Sequence, residues 1–237
     1  MTAKNTGLRG PLNWPDDPET VTAADIDFTA LAHVLANTCR RGGCMRGYHS
    51  VAAHAVVVSE EIEALDGLED AQRRKLALHA LVADAPSAWL RGRLRDSQRA
   101  AEPGSRGAGP GPRAGGPGRA GKLAGGIESA VREAAGLDAV LEDELAELLR
   151  FVTRMASAAE SRDLLEPGSG SGPGSAGVAF PPLKRRIRSM PPDKAAEAWL
   201  ARFRALAGPE EERRGRNAAP GSRTGDGDGP GAGAGEG

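Results

Sequence analysis

The clearest hydrophobic pattern in the chain follows Ser50, a residue type that often caps the start of a helix. The next apolar residues are separated by four, three, four and three positions: Val51, Ala55, Val58, Ile62 and Leu65. This spacing places them on one face of an α-helix. We therefore predict a helix that begins at Ser50 and buries this face. No segment of the chain alternates convincingly as a β-strand does.

Two more helices are predicted in the first half of the chain. Thr22, with Asp25 three residues later, is typical of a helix N-terminus. The apolar residues that follow on one side are Ile26, Leu31 and Leu35. Asp70 is predicted to cap another helix, whose residues 76–83 have little polar surface. We expect that helix to be buried nearly all round.

Helical spacing continues in the second half of the chain. Residues 127–135 and 141–165 are predicted to form helices, and Asp193 is predicted to cap a last one. The apolar residues of that last helix are Trp199, Leu200, Phe203 and Leu206. Together these patterns predict an all-α fold.

Three segments are rich in Gly, Pro and other small residues and show no periodicity. We predict flexible insertions at 101–126 and 167–177, and a disordered tail at 208–237. The remaining pieces are too short to be separate domains. We therefore predict one helical domain over residues 1–207, interrupted by Gly/Pro-rich loops.

Composition narrows the possible functions. The 31 Lys and Arg nearly cancel the 32 Asp and Glu, so a nucleic-acid partner is not expected. The basic cluster at 184–188 has no interleaved aromatic residues, and we interpret it as a solvated loop rather than a phosphate or RNA site. Cys39 and Cys44 form no disulfide framework, and no signal peptide or membrane-spanning segment is evident. These features predict a cytoplasmic protein without membrane insertion.

Two polar residues fall at positions predicted to be buried. His54 lies three residues after Val51 on the apolar face, and Asp84 follows the most apolar helix. Each needs a partner, because an unpaired charge in a core is very costly. The simplest interpretation is a histidine bonded to backbone and an aspartate that caps a helix.

A wider pattern raises a different possibility. The segments CRRGGC (39–44), YHSVAAHA (48–55), ALVADAP (80–86), AESRDLL (159–165) and AAEAWLARFRAL (195–206) occur in this order. Together they resemble the HD-domain phosphohydrolases, in particular the bacterial and phage branch related to 5′-deoxynucleotidases. The resemblance covers nearly all of the predicted helical part and implies an HD-domain-like helical bundle.

In that family, two histidines and two aspartates hold one divalent cation, which activates water and polarises a phosphate. The resemblance implies that His54 matches the first ligand and that Asp84 matches the Asp of the HD pair. Ala83 stands where the pair has its histidine, and Thr153 stands where the last Asp is expected. We therefore expect at most a weakly bound Mn, Co or Mg ion, held by His54 and Asp84.

The family's catalytic acids are also replaced, by Ser87 and Gly92. Arg40 keeps the pattern of an arginine that faces phosphate. Two residues offer a rewired metal site: His79, one helical turn before the HD pair, and Cys44, where the family has a histidine. The alternative is that both are ordinary packed residues.

The resemblance therefore implies a degenerate member of the family with no intact catalytic residues. We expect a binding or scaffolding subunit of a protein assembly, with a protein partner or further copies of the same chain. Two alternatives stay open. One is a nucleotide-binding regulator that uses Arg40 and His54, and the other is an active metal-dependent nucleotide phosphohydrolase with altered ligands.

Overall fold

The computed structural model describes residues 20–87, 119–138, 140–165 and 180–208. Within these ranges the fold is all-α, as predicted, with six α-helices and no β-strand. The helices are α1 (Phe28–Asn37), α2 (Val51–Glu63), α3 (Asp70–Val82), α4 (Arg119–Ala134), α5 (Asp143–Leu164) and α6 (Pro192–Ala207). None of the helices in the described part of the chain combines the length and the apolar character that crossing a bilayer requires.

The cap of helix α1 lies five residues after the predicted one, Thr22. Thr22 precedes only a short 3-10 helix, Ala23–Asp25, and the Asp25 carboxylate accepts hydrogen bonds from the Thr22 backbone and hydroxyl at 2.9 and 2.7 Å. The cap of α1 is Asp27, whose carboxylate accepts from two backbone N–H groups of the first turn at 2.8 and 3.2 Å. The predicted position is wrong because the turn after Thr22 ends at Ile26, whose backbone is extended, and the helix starts afresh after Asp27.

Helix α2 matches its prediction closely. The Ser50 hydroxyl caps it by accepting a hydrogen bond from the Ala53 backbone at 3.1 Å. Four residues of the predicted apolar face are buried, with exposures of 0 to 4%: Val51, Ala55, Val58 and Ile62. The fifth, Leu65, lies after the end of the helix and is half-buried. Helix α2 packs against α1, α3, α5 and α6, so it forms the centre of the bundle.

Helix α3 is buried only in its second half. Residues 76–82 are all buried, whereas the polar first half is largely exposed. The predicted caps of α3 and α6 are each off by one or two positions. Glu69 precedes α3 and Pro191 precedes α6, while Asp70 and Asp193 lie inside the first turn. Carboxylates at that position still interact favourably with the helix dipole.

Helix α4 begins inside a segment predicted to be flexible. Residues 119–126 are helical, so the prediction for 101–126 is wrong in this part. Buried Ile127 and Val131 hold the second half of α4 in the core, and Ala135, directly after the helix, is buried as well. The other predicted insertions, 101–118 and 167–177, and the tail beyond residue 208 lie outside the described residues.

Aromatic side chains connect the ends of three helices. The rings of Phe28 and Phe203 stack with centroids 4.0 Å apart, and Trp199 stacks on Phe203 at 5.4 Å. Trp199 is fully buried, and its indole N–H donates to the backbone oxygen of Leu81 at 3.0 Å. A buried tryptophan with a satisfied N–H combines a large apolar area with a specific contact. These contacts fix α6 against α1 and α3.

Candidate functional site

The loop of residues 38–50 places the side chains of Arg40 and His49 beside each other. Its ends are closed by hydrogen bonds from Arg40 N to His49 O at 3.0 Å and from Val51 N to Thr38 O at 2.9 Å. In between, the chain turns through Arg41, Gly42 and Gly43, all with positive φ. Glycine adopts this conformation at little cost, so the two glycines make the tight turn possible.

Glu160 of α5 lies at the centre of a buried polar cluster. Its Oε1 accepts hydrogen bonds from His54 Nδ1 at 2.5 Å and from His49 Nε2 at 3.1 Å. Its Oε2 accepts from Arg40 Nε at 3.1 Å. Glu160 is fully buried, and His49 and His54 are only 1% and 2% exposed. We call these four residues the Glu160 cluster.

The cluster keeps the Glu160 carboxylate ionised. Burial alone would raise the pKa of this carboxyl, but hydrogen bonds from His49 and His54 and the nearby charges of His54 and Arg40 hold the pKa well below its usual range. Because a carboxylate only accepts, both contacts require a proton on the bonded nitrogen, which is Nε2 in His49 and Nδ1 in His54. His49 Nδ1 is buried and has no hydrogen-bond partner among the described residues.

The structure confirms that His54 is buried, and it identifies a different partner from the expected backbone group. The imidazole is held by the Glu160 carboxylate, which leaves Nε2 as the only atom able to bind a metal. A carboxylate on the far nitrogen is common for histidines that bind metals. This contact alone therefore agrees with either a remnant ligand or a structural histidine.

The other ligand positions do not complete a metal site. Asp84 is half-buried just after α3, and its carboxylate has no partner within the described ranges. Ala83 is exposed, contrary to the predicted burial of residues 76–83. The hydroxyl of Ser87 donates to the backbone oxygen of Asp84 at 2.7 Å. Thr153 donates to the backbone oxygen of Leu149 at 2.8 Å, so its hydroxyl is satisfied inside its own helix.

Neither alternative ligand improves this donor set. His79 is 4% exposed, and its Nε2 has no hydrogen-bond partner in the described part of the chain. Burial and then the positive charges of Arg132 and Lys75 lower its pKa to about 4, against the opposing effect of Asp138. Cys44 is an exposed free thiol.

No group of three or more His, Cys, Asp or Glu side chains in the described ranges is arranged to hold a metal. The residues present therefore do not fit the four-ligand site that the resemblance implies. Gly92 lies outside the described residues.

Arg40 is positioned differently from an arginine that faces open solvent. Besides Glu160, its guanidinium contacts the Ser157 hydroxyl at 3.3 Å, and 18% of its side chain is exposed. Its positive charge is already matched by the Glu160 carboxylate at 3.1 Å. A phosphate would have to compete with that buried carboxylate for the same guanidinium.

The basic segment at 184–188 packs against two helices rather than forming a purely solvated loop. Arg185 bonds Glu60 and Glu61 of α2, each at 2.7 Å. Arg186 bonds Asp163 of α5 at 2.9 Å, and Ile187 is buried. Half of this basic cluster therefore forms internal ion pairs.

Glu160 and His49 were not predicted to be members of a site. One signal was present: Glu160 follows the apolar residues Val152, Ala156 and Ala159, which face the core of the bundle. A charged residue on such a helix face needs a partner of opposite charge.

Comparisons with known proteins add no further identification. Neither the scan against protein-family models nor the search of curated proteins found a match to this chain. The likeness to the HD-domain phosphohydrolases rests on the sequence segments described above.

Proposed function

We propose that this chain is a degenerate relative of the HD-domain phosphohydrolases. In this proposal it is a cytoplasmic binding or scaffolding subunit of a protein assembly. One observation carries the proposal. The residues that the family uses to face a phosphate and a metal, Arg40 and His54, are both bonded to the buried carboxylate of Glu160.

The incomplete set of possible ligands argues against strong metal binding. His54 offers one nitrogen, and Asp84 offers a carboxylate with no hydrogen-bond or ion-pair contact to His54 among the described residues. The positions of the remaining ligands carry Ala83, which has no donor atom, and Thr153, whose uncharged hydroxyl already bonds the backbone oxygen of Leu149. Even the loss of a residue that supports a metal ligand costs about 10- to 100-fold in affinity or activity. We therefore expect catalysis to be negligible.

The ion pair between Arg40 and Glu160 argues against the nucleotide-binding alternative. To bind a phosphate, Arg40 would have to weaken its pair with Glu160. That change would leave a buried carboxylate with only the two histidines as partners, and buried charges that lose a partner are strongly destabilising. A function that depends on the folded surface rather than on this pocket is the simplest one left.

Phosphate release tests the proposal directly. The intact chain would be assayed on deoxynucleoside mono- and triphosphates with Mn, Co or Mg. We expect no turnover above that of His54→Ala. The matched control is His33→Ala, which removes an exposed histidine of α1. Turnover near 1 s⁻¹, at the low end for enzymes, that is lost in His54→Ala and kept in His33→Ala would refute the proposal.

A further inference from the structure

The segment of residues 183–188, which precedes α6, points every second side chain outward. Among its inward residues, Leu183 and Ile187 are buried and Arg185 is half-buried. The outward residues are all basic and exposed, and we call them the basic edge: Lys184, Arg186 and Arg188. The chain bends at 184–185 but contains no helix or turn here. Such an alternation is typical of an extended chain, in which outward side chains stand about 7 Å apart.

The backbone of this segment is bonded to α5 along one edge. The Asp163 carboxylate accepts from the Ile187 N–H at 2.8 Å. The Arg162 guanidinium donates to the backbone oxygens of Leu183 and Arg185 at 2.7 and 2.8 Å. The backbone N–H and C=O groups of the basic edge have no hydrogen-bond partner within the described ranges. Because these groups point away from the bonded edge in an extended chain, they are open to a further strand.

The basic edge carries more positive charge than its neighbours neutralise. The two α2 carboxylates beside the segment are bonded to its inward arginine. The Asp163 carboxylate is shared by Arg162 at 2.6 Å and Arg186 at 2.9 Å, so one negative charge faces two guanidinium groups. Lys184 and Arg188 have no acidic partner in the part of the chain that the structure describes. The outward side of the segment therefore attracts an acidic partner.

These features favour an acidic peptide over a nucleic acid. The open N–H and C=O groups match the donors and acceptors of another peptide backbone, whereas phosphate oxygens only accept. Single-stranded nucleic acid is usually held by aromatic rings on which its bases stack. Phe180, which precedes the segment, already packs edge-on against Phe151 at 6.0 Å and lies under the Arg154 guanidinium at 4.8 Å.

We propose that the basic edge binds an extended, acidic segment of a partner protein by β-strand addition. The partner's backbone pairs with Arg186 and Arg188, and its Asp or Glu side chains, at every second position, lie beside the basic side chains. This inference rests on the proposed binding function and deepens it, because it names the chemistry of the partner. Its test is peptide binding, which can fail while the turnover and metal measurements still hold.

Fluorescence anisotropy of a labelled peptide with the full chain tests the proposal. The peptide has seven residues, with glutamate at the second, fourth and sixth positions and threonine elsewhere. We expect saturable binding with a dissociation constant below about 100 µM, which rises with the salt concentration. Arg188→Glu places a like charge beside the glutamates, so it should raise the dissociation constant at least about tenfold. The matched control is Lys194→Glu, which makes the same charge change at an exposed residue of α6.

Methylated peptides test the backbone pairing on the intact chain. In the proposed pairing, the N–H groups of the glutamates point toward the basic edge and those of the threonines point away from it. N-methylation of the three glutamates should therefore weaken binding at least about tenfold more than N-methylation of three threonines. Both methylated peptides keep the charge of the original peptide, so the comparison isolates the hydrogen bonds.

Four results would overturn the proposal. The first is no saturable binding of the peptide below about 1 mM. The second is equal weakening by Arg188→Glu and Lys194→Glu, when both variants keep the circular dichroism spectrum of the intact chain. The third is an equal effect of methylation at glutamate and at threonine, which would mean that charge alone attracts the peptide. The fourth is tighter binding of a labelled oligouridylate than of the peptide, which would identify a nucleic acid as the ligand.

Discussion

Replacing Glu160 with glutamine removes the negative charge from the centre of the Glu160 cluster and keeps the size of the side chain. In the intact chain this carboxylate accepts from three donors, two on Oε1 and one on Oε2. In Glu160→Gln one of those oxygens becomes an NH₂ group, which donates instead of accepting. At least one of Arg40, His49 and His54 then faces another donor in a buried site.

The expected loss of stability follows from the burial of these groups. Breaking a buried ion pair by removing one partner costs about 3–5 kcal/mol. The side chain of Arg40 is 18% exposed, so solvent compensates part of the loss, and we expect a value near the low end, about 3 kcal/mol. Because a domain is stable by only about 5–15 kcal/mol, this change is large.

Urea unfolding followed by circular dichroism measures the effect. With a typical slope of about 2 kcal/mol per molar urea, a loss of about 3 kcal/mol moves the midpoint down by about 1.5 M. The control is Glu147→Gln, which neutralises an exposed carboxylate on the same helix and should change the stability by no more than about 0.5 kcal/mol. Equal midpoints for Glu160→Gln and Glu147→Gln would refute the argument that the carboxylate organises this core.

Two further predictions concern other residues. The pKa of His79 is lowered to about 4 in the folded state, so the unfolded chain binds this proton more readily and stability is lost as pH falls from about 6.5 toward 4. Between pH 7.5 and 5, His79 accounts for a loss of about 2 kcal/mol in the free energy of unfolding. The urea midpoint of His79→Leu should therefore fall less over this interval than the midpoint of the intact chain. Equal falls in the two proteins would contradict a lowered pKa for His79. Ala83→His combined with Thr153→Asp should bind Mn or Co more tightly than the intact chain in calorimetry. A folded double variant with unchanged affinity would contradict the residue-by-residue match to the HD-domain family.

The helices that were predicted well are those whose burial is encoded locally. Val58 and Ile62 are buried because the apolar period of α2 matches the helical repeat, and this is visible in a window of 15 residues. The start of α4 was missed because residues 119–126 are rich in Gly and Ala, and the apolar residues that dock the helix, such as Ile127, come only afterwards. The composition of 119–126 predicted a flexible segment, but these residues continue a helix whose later turns pack into the core.

The Glu160 cluster could not be predicted in full from the sequence. Its contacts join residues that are 106 to 120 positions apart, which no local period reveals. His54 was recognised as buried because it lies on an apolar face. Glu160 was not recognised, since an acidic residue in a helix is exposed far more often than it is buried. Only the packing of α5 against α2 and the loop before it brings the four side chains together.

Titration of Co²⁺ or Mn²⁺ into the intact, chelator-treated chain shows whether the remaining ligands hold a metal ion. We predict that calorimetry finds no tight, saturable binding of one ion per chain, because Ala83 and Thr153 replace two of the four implied ligands and only His54 and Asp84 remain. His33→Ala and His54→Ala should then give the same weak heats as the intact chain. One tightly bound ion per chain, kept in His33→Ala and lost in His54→Ala, would contradict the account.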